Sequence, residues 1–184
     1  MGFHTFDVAM ADRLEDPSRF EVVSVDELLA LFDPEPTDTV ADLGSGSGFY
    51  TDEIAPYAGT VYAVDVQTAM HDRYRERGLP ESVVPVTAEI GDLPFDDGAL
   101  DGAVSTMTYH EFATDEALEE LHRVLADDGK LGIADWTAEG DGDRGPPLSE
   151  RFDASAARTA LESGGFDVER AEDRRESFVV EVSA

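Results

Sequence analysis

The chain has 184 residues and no cysteine, and its 42 acidic side chains outnumber its 13 basic ones, which gives a formal net charge of -29. The length favours one domain, residues 1–184, and the lack of cysteine excludes disulfides, thiolate metal sites and cysteine nucleophiles. With 41% hydrophobic residues the chain is expected to fold, and its charge disfavours a nucleic-acid partner.

The N-terminal region, residues 1–35, is predicted to be an arm followed by one helix. Residues 1–23 show no clear period, and His4, Phe6 and Asp7 lie on a segment that is a candidate lid over a ligand. Ser24 and Glu27 form a capping box that predicts a helix start, since the Ser24 side chain can accept a hydrogen bond from the backbone N–H three residues later.

Strands and helices alternate through residues 36–136, which we interpret as the cofactor-binding core. The predicted strands are Thr39–Leu43, Thr60–Val64, Val83–Thr87, Leu100–Ser105 and Lys130–Trp136. The predicted helices between them are Phe49–Tyr57, Thr68–Arg77 and Asp115–Ala126. Such alternation favours an α/β fold with a parallel sheet and helices on both faces.

Residues 137–184 do not continue this alternation of strands and helices. A helix is predicted over Asp153–Ser163, followed by the strands Phe166–Ala171 and Ser177–Val182. The charged connection between these two strands is too short for a crossover helix, so we expect them to pair antiparallel.

A glycine-rich turn follows the first strand. Gly44, Gly46 and Gly48 lie between a strand and a helix, where backbone can approach a ligand closely. Asp65 ends the next strand, and a carboxylate there can accept both hydroxyls of a ribose. Together these features predict a nucleoside cofactor. A nicotinamide cofactor is the less favoured reading, because the turn lacks the third glycine or alanine of the dinucleotide fingerprint.

These motifs resemble those of class I S-adenosylmethionine-dependent methyltransferases, from about Phe32 to Val182. The chain is most similar to the small-molecule branch related to ubiquinone and menaquinone biosynthesis. The segments that carry the resemblance are Val40–Gly48, Val61–Asp65, Ala88–Phe95, Asp101–Ser105 and Leu121–Leu125. The resemblance implies a single Rossmann-like, doubly wound sheet of seven strands, mostly parallel, with an antiparallel C-terminal strand.

The resemblance also implies S-adenosyl-L-methionine as the cofactor and a set of residues that bind it. The glycine turn would hold the methionine part, Asp65 the ribose, and Val66 and the Ile90 backbone the adenine. Glu89 matches the acidic residue that faces the adenine amine, with Asp92 as a competitor. The full set is Asp42, Gly44, Ser45, Gly46, Gly48, Asp65, Val66, Glu89, Ile90 and Thr106.

Candidates for a general base follow the fourth and fifth strands, since ligands of such folds bind outside the carboxyl ends of the strands. His110 has an ordinary pKa near 6.5, suited to a base at neutral pH. The alternative for His110 is a packing role. Asp135 is a second candidate, and Tyr109 and Glu111 are weaker ones. The loop Gly145–Pro147, followed by Arg151, either walls an acceptor pocket or is a plain surface connection.

We expect methyl transfer to oxygen, carbon or nitrogen of a small-molecule or lipid-like acceptor, without a bound metal. Two other functions stay open: a module that binds cofactor or a partner without turnover, and a nicotinamide-dependent oxidoreductase. The chain shows no leader and no run of about 20 apolar residues, so a cytoplasmic location is expected. The acceptor's identity and the oligomeric state do not follow from the residues.

The acidic composition predicts stabilisation by salt. Lys130 is the only lysine, and repulsion among the carboxylates opposes the compact state. We therefore infer a halophilic source and expect the melting temperature to rise between about 0.1 M and about 2 M KCl, as the Debye length falls toward about 3 Å. A melting temperature that stays flat or falls in a thermal scan would contradict this inference.

Overall fold

The structure is a computed structural model and describes residues 13–184. Its strands are β1 (Thr39–Leu43), β2 (Thr60–Asp65), β3 (Val83–Thr87), β4 (Leu100–Thr106), β5 (Leu125–Trp136), β6 (Asp167–Asp173) and β7 (Ser177–Ser183). Its α-helices are α1 (Val25–Ala30), α2 (Thr51–Ile54), α3 (Thr68–Arg77), α4 (Tyr109–Phe112), α5 (Asp115–Val124) and α6 (Ala154–Ser163). Short 3-10 helices span Pro17–Glu21, Ala55–Tyr57 and Leu148–Glu150.

The strands form one seven-stranded sheet in the order β3-β2-β1-β4-β5-β7-β6. The first five strands of the chain pair parallel, and β7 pairs antiparallel with both β5 and β6. This confirms the expected mostly parallel sheet with an antiparallel C-terminal strand. The chain reverses its direction of winding between β1 and β4, and their carboxyl ends open the crevice where ligands of such sheets bind.

Both faces of the sheet are buried, because successive side chains of a strand point to opposite faces. In β1, Val40 packs with Leu28 and Ile54 of α1 and α2, whereas Ala41 packs with the cluster that contains Leu121 and Leu161 of α5 and α6. The two apolar clusters therefore lie on opposite sides of one sheet.

Helix caps follow the sequence signals. The Ser24 side chain accepts a hydrogen bond from the Glu27 N–H at 3.3 Å at the start of α1. Thr114 and Asp153 cap α5 and α6 in the same way, accepting from Ala117 and Ala156. Each cap satisfies one backbone donor that the first turn leaves without an intrahelical partner.

Several predicted boundaries are wrong, among them the start of the fifth strand, which begins at Leu125 and not at Lys130, and two helix ends have identifiable reasons. The helix predicted to reach Tyr57 divides into α2 and a 3-10 turn at Pro56, whose ring nitrogen cannot donate to a continuing helix. The helix predicted to reach Ala126 ends at Val124, because Leu125 already pairs with Leu100 in the sheet before a register shift. Within residues 13–184, no helix is long and apolar enough to cross a membrane.

The turn after β1 depends on a glycine that packs against an aromatic ring. Gly48 has φ +88°, and a Cβ placed on it would lie 2.2 Å from the fully buried ring of Tyr74. Gly48→Ala is therefore expected to lower the free energy of unfolding by about 2 to 4 kcal/mol, since the ring cannot retreat in a filled core. Urea denaturation measures this change.

Gly78→Ala is the matched control. Gly78 also has a positive φ, +98°, but nothing lies within 4 Å of the added Cβ. This substitution carries only the cost of an unfavourable backbone conformation, about 1 to 3 kcal/mol. Equal losses in the two variants would mean that the contact with Tyr74 contributes nothing.

Candidate functional site

A cavity of about 1200 Å³ opens at the carboxyl ends of the parallel strands. It exceeds the roughly 300 to 1,000 Å³ of a typical small-ligand pocket, so it has room for a cofactor beside an acceptor. Of the residues predicted to bind cofactor, these line it: Gly44, Ser45, Gly46, Asp65, Val66, Glu89, Ile90 and Thr106. Asp92, the competitor of Glu89, does not.

Asp42 and Gly48 differ from the other predicted cofactor residues because neither lines the cavity. Asp42 is 1% exposed and accepts a hydrogen bond from the Thr51 hydroxyl at 2.6 Å. Burial raises the pKa of Asp42 to about 6, although the Thr51 hydrogen bond and the charge of Arg19 oppose the shift. Both residues support the turn from behind, and their contact with the cofactor stays a prediction.

The glycine turn brings the ends of β1 and β4 together. Gly44 has φ +77°, and an added Cβ would lie 2.3 Å from Thr108, which follows β4. The neighbouring Ser45 is 9% exposed, and its hydroxyl has no hydrogen-bond partner within the described residues. A cradle without side-chain bulk and an unsatisfied hydroxyl fit a bound polar ligand.

Asp65 is fixed at the end of β2 by backbone donors. Its two carboxylate oxygens accept from the Gly46 N–H at 2.9 Å and the Gln67 N–H at 2.8 Å. Each oxygen retains a lone pair that can accept a hydroxyl proton. Burial raises the pKa of Asp65, while these two hydrogen bonds oppose the shift. The geometry fits recognition of a ribose.

His110 and Asp135 form a buried pair on the other side of the cavity. The ring Nδ1 of His110 lies 2.9 Å from Asp135 Oδ2, and the backbone N–H of His110 donates to the same oxygen at 2.7 Å. Their side chains are 11% and 1% exposed. His110 lines the cavity, whereas Asp135 lies behind it and reaches the cavity only through the imidazole.

Carboxylates control the protonation of this pair. Burial alone would lower the pKa of His110, but the hydrogen bond and charge of Asp135, together with Glu111 and Glu150, raise it above the ordinary 6.5. Burial raises the pKa of Glu111 to about 7, against the opposing charge of His110. Glu111 Oε1 lies 3.9 Å from His110 Nε2, and both groups face the cavity.

The backbone before His110 is unusual. Met107 has φ +59°, a conformation that costs energy for a residue with a side chain, and its N–H donates to the Ala134 carbonyl at 2.7 Å. This turn directs α4 and therefore His110 toward the end of β5. No sequence signal predicts it, because methionine has no preference for such a turn.

The loop Gly145–Pro147 forms part of the cavity wall beside Trp136. Arg151, 7% exposed, donates to the carbonyls of Pro146, Thr137 and Arg144 and thereby fixes the loop. The alternative of a plain surface connection is therefore wrong for the loop, while Arg151 itself acts behind the wall. The proposed lid residues His4, Phe6 and Asp7 lie outside the described residues.

The N-terminal arm also contributes to the cavity, through residues that the sequence analysis did not single out. Its lining residues are Arg13, Leu14, Asp16, Ser18 and Arg19. The 3-10 helix Pro17–Glu21 has no apolar period that a sequence pattern could detect. A parallel sheet with this crevice, glycine turn and ribose-type carboxylate defines a protein of the class that binds a nucleoside cofactor.

Comparison with known proteins identifies the family. A family model described as a methyltransferase domain matches residues 41–133. A solved SAM-dependent methyltransferase from Aquifex aeolicus is 31% identical with a TM-score of 0.88, and the match covers 97% of this chain and 99% of that chain. The chain belongs to the class I S-adenosylmethionine-dependent methyltransferases, and S-adenosyl-L-methionine is the family's cofactor.

The curated relatives are longer than this chain. An uncharacterized methyltransferase-like protein from Schizosaccharomyces pombe is 29% identical over 138 residues, which are 74% of this chain and 53% of that protein. A demethylmenaquinone methyltransferase from Corynebacterium kroppenstedtii is 31% identical over 107 residues, 57% of this chain and 44% of that protein. The chain spans about half the length of these relatives.

Asp65→Ala tests the cofactor site. Removing a carboxylate that accepts ribose hydroxyls is expected to weaken binding of S-adenosylhomocysteine at least about 10-fold, because charge-assisted hydrogen bonds contribute about 1.5 to 3 kcal/mol each. Titration calorimetry in about 2 M KCl, where we expect the fold to be most stable, measures the affinity. Asp92→Ala, an acidic residue outside the cavity, should bind like the wild type. Unchanged affinity in Asp65→Ala would contradict the assignment.

Proposed function

We propose that this chain transfers a methyl group from S-adenosyl-L-methionine to oxygen, carbon or nitrogen of a small-molecule or lipid-like acceptor. The observation that carries the proposal is that a buried His–Asp pair opens on the same cavity as the glycine turn and Asp65. Such a cavity can hold donor and acceptor in line and exclude water, which is most of what methyl transfer requires.

The cofactor is held by the residues of the cavity's glycine side. Gly44, Ser45 and Gly46 contact its methionine part, Asp65 accepts the ribose hydroxyls, and Glu89 faces the adenine amine beside Val66 and Ile90. Thr106, the last residue of β4, lines the same cavity. When bound, the cofactor supplies a methyl group on a positively charged sulfur, which an acceptor can attack directly.

His110 acts as the general base for an acceptor that must lose a proton. Because Asp135 accepts from Nδ1, the neutral ring keeps its free lone pair on Nε2, the nitrogen nearer Glu111. Asp135 is a positioning residue: it orients the ring and stabilises the imidazolium that forms when His110 takes the proton. Its four short contacts come from the backbone and the ring, not from the cavity.

A pH profile tests these roles. Because the pKa of His110 is raised above 6.5 and only the neutral ring is a base, kcat/KM is expected to rise with pH through a value above 6.5. His110→Ala should lower kcat by about 10² to 10⁴-fold and remove this limb. Asp135→Asn should lower kcat and move the midpoint to lower pH, because the carboxylate that raises the pKa is gone.

Glu111→Gln is the control, since the pKa of Glu111 is raised to about 7 and its carboxylate lies beside the same ring. The rise of kcat/KM with pH should persist in this variant. If the rise is lost in Glu111→Gln but kept in His110→Ala, Glu111 is the general base.

The acceptor is sought by screening phenols, amines and carbon acids for transfer of a radiolabelled methyl group. Binding of S-adenosylhomocysteine without transfer to any of them would favour the non-catalytic binding module.

A further inference from the structure

Arg19 extends over the turn that follows β1. It lies on the 3-10 helix Pro17–Glu21, whose backbone is tied down because the Tyr50 hydroxyl donates to the Arg19 carbonyl at 3.0 Å. The guanidinium carbon lies 5.0 Å from the ring centre of Phe49 and 4.8 Å from that of Tyr50. Phe49 and Tyr50 directly follow Gly48, so the cation is fixed at the start of α2, beside the glycine turn.

The guanidinium of Arg19 has no carboxylate within 4.0 Å among residues 13–184. Its Nη1 donates to the Leu14 carbonyl at 2.7 Å. Other arginines of the chain pair with acids, for example Arg77 with Asp52 at 2.5 Å. In a protein with 42 acidic residues, a cation that faces a cavity without an acidic partner is an exception that calls for a counter-charge from elsewhere.

Asp42 does not supply that counter-charge. It is close enough to raise the pKa of Arg19 against the lowering effect of burial, which is larger. The Asp42 carboxylate nevertheless makes its hydrogen bond to Thr51, and its second oxygen has no partner within the described residues. Neither group therefore neutralises the other through a direct contact.

The other arginines near the cavity are used differently. Arg144 belongs to the loop beside Trp136, with its guanidinium carbon 5.8 Å from the Trp136 ring centre and Nη1 3.9 Å from a Glu21 carboxylate oxygen. The guanidinium N–H groups of Arg151 donate to backbone carbonyls behind the cavity wall. Arg13 also lines the cavity, and it already interacts with another group of the protein. Arg19 is thus the arginine seated at the glycine turn.

We propose that Arg19 binds the carboxylate of the cofactor's methionine part and selects cofactors that carry it. The proposal rests on the proposed function, because it takes S-adenosyl-L-methionine as the ligand of the glycine turn. A guanidinium presents two parallel N–H groups that match the two oxygens of a carboxylate. The unpartnered hydroxyl of Ser45, on the same side of the cavity, is a second donor for this end of the ligand.

The inference gives the N-terminal arm a function. Arg19 also donates to the Leu14 carbonyl, so one side chain joins the arm to the place where the ligand's anionic end binds. A ligand carboxylate would supply the missing counter-charge and hold the arm against the glycine turn. A nucleoside without that carboxylate would leave the cation uncompensated and bind more weakly.

The test compares two ligands that differ only in this group. S-adenosylhomocysteine and its decarboxylated analogue are titrated into the wild-type chain and Arg19→Met by calorimetry, in the same KCl concentration. The wild type is expected to prefer the carboxylate ligand by about 10- to 100-fold. Arg19→Met, which keeps the apolar stem, should lose this preference and bind the decarboxylated analogue as the wild type does. Arg19→Lys should retain part of the preference, because a point charge replaces the fork.

Arg144→Met is the matched control, a cavity arginine whose guanidinium contacts Trp136 and Glu21 instead of the rings that follow the glycine turn, and its preference should stay within about 3-fold of the wild type. Equal affinity of the wild type for both ligands would overturn the proposal without any variant. Equal weakening of both ligands in Arg19→Met would also overturn it, since that outcome is a packing effect. If the wild type binds neither ligand, the cofactor assignment fails together with the proposal.

Discussion

The site depends on the parallel pairing of β1 with β4, two strands that are far apart in the chain. Asp42 lies opposite Val104, and Leu43 lies opposite Ser105, so both strands end at the same height. Gly44 then turns against Thr108 with no room for a side chain between them. All groups that we assign to cofactor or acceptor follow from this contact, because it opens the crevice and sets the distance between its two sides.

The charged groups to which we assign roles in the site are each held in place by neighbouring groups of the protein. The chain has a net charge of -29, but only a few charged side chains have an assigned role in the cavity. Asp65 and Asp135 are fixed by backbone N–H donors, whereas Arg19 is fixed by aromatic rings. Because each is partly or fully removed from water, salt screens these interactions less than it screens the surface carboxylates. If high salt stabilises this protein, as we predict, the site can still recognise charge.

His110 shows how tertiary contacts turn an ordinary side chain into a candidate base. Its position results from the strained turn at Met107 and the hydrogen bonds to Asp135. The Asp135 carboxylate belongs to β5, which the sheet places next to β4. The pair therefore assembles only when both strands and α4 are in place, and the same assembly raises the pKa of the ring.

The sequence by itself determined the α/β alternation, the antiparallel end, the glycine turn and Asp65, since these depend on local periodicity, caps and spacing. It also indicated His110 and Asp135 as separate candidates at the ends of β4 and β5. Only the tertiary structure decided that they form a pair, that Asp42 and Gly48 support the turn from behind, and that Arg19 lies over it. These outcomes depend on contacts between segments distant in the chain, which no local pattern encodes. The contact of Arg19 with Tyr50 spans 31 residues, and the pairing of His110 with Asp135 spans 25.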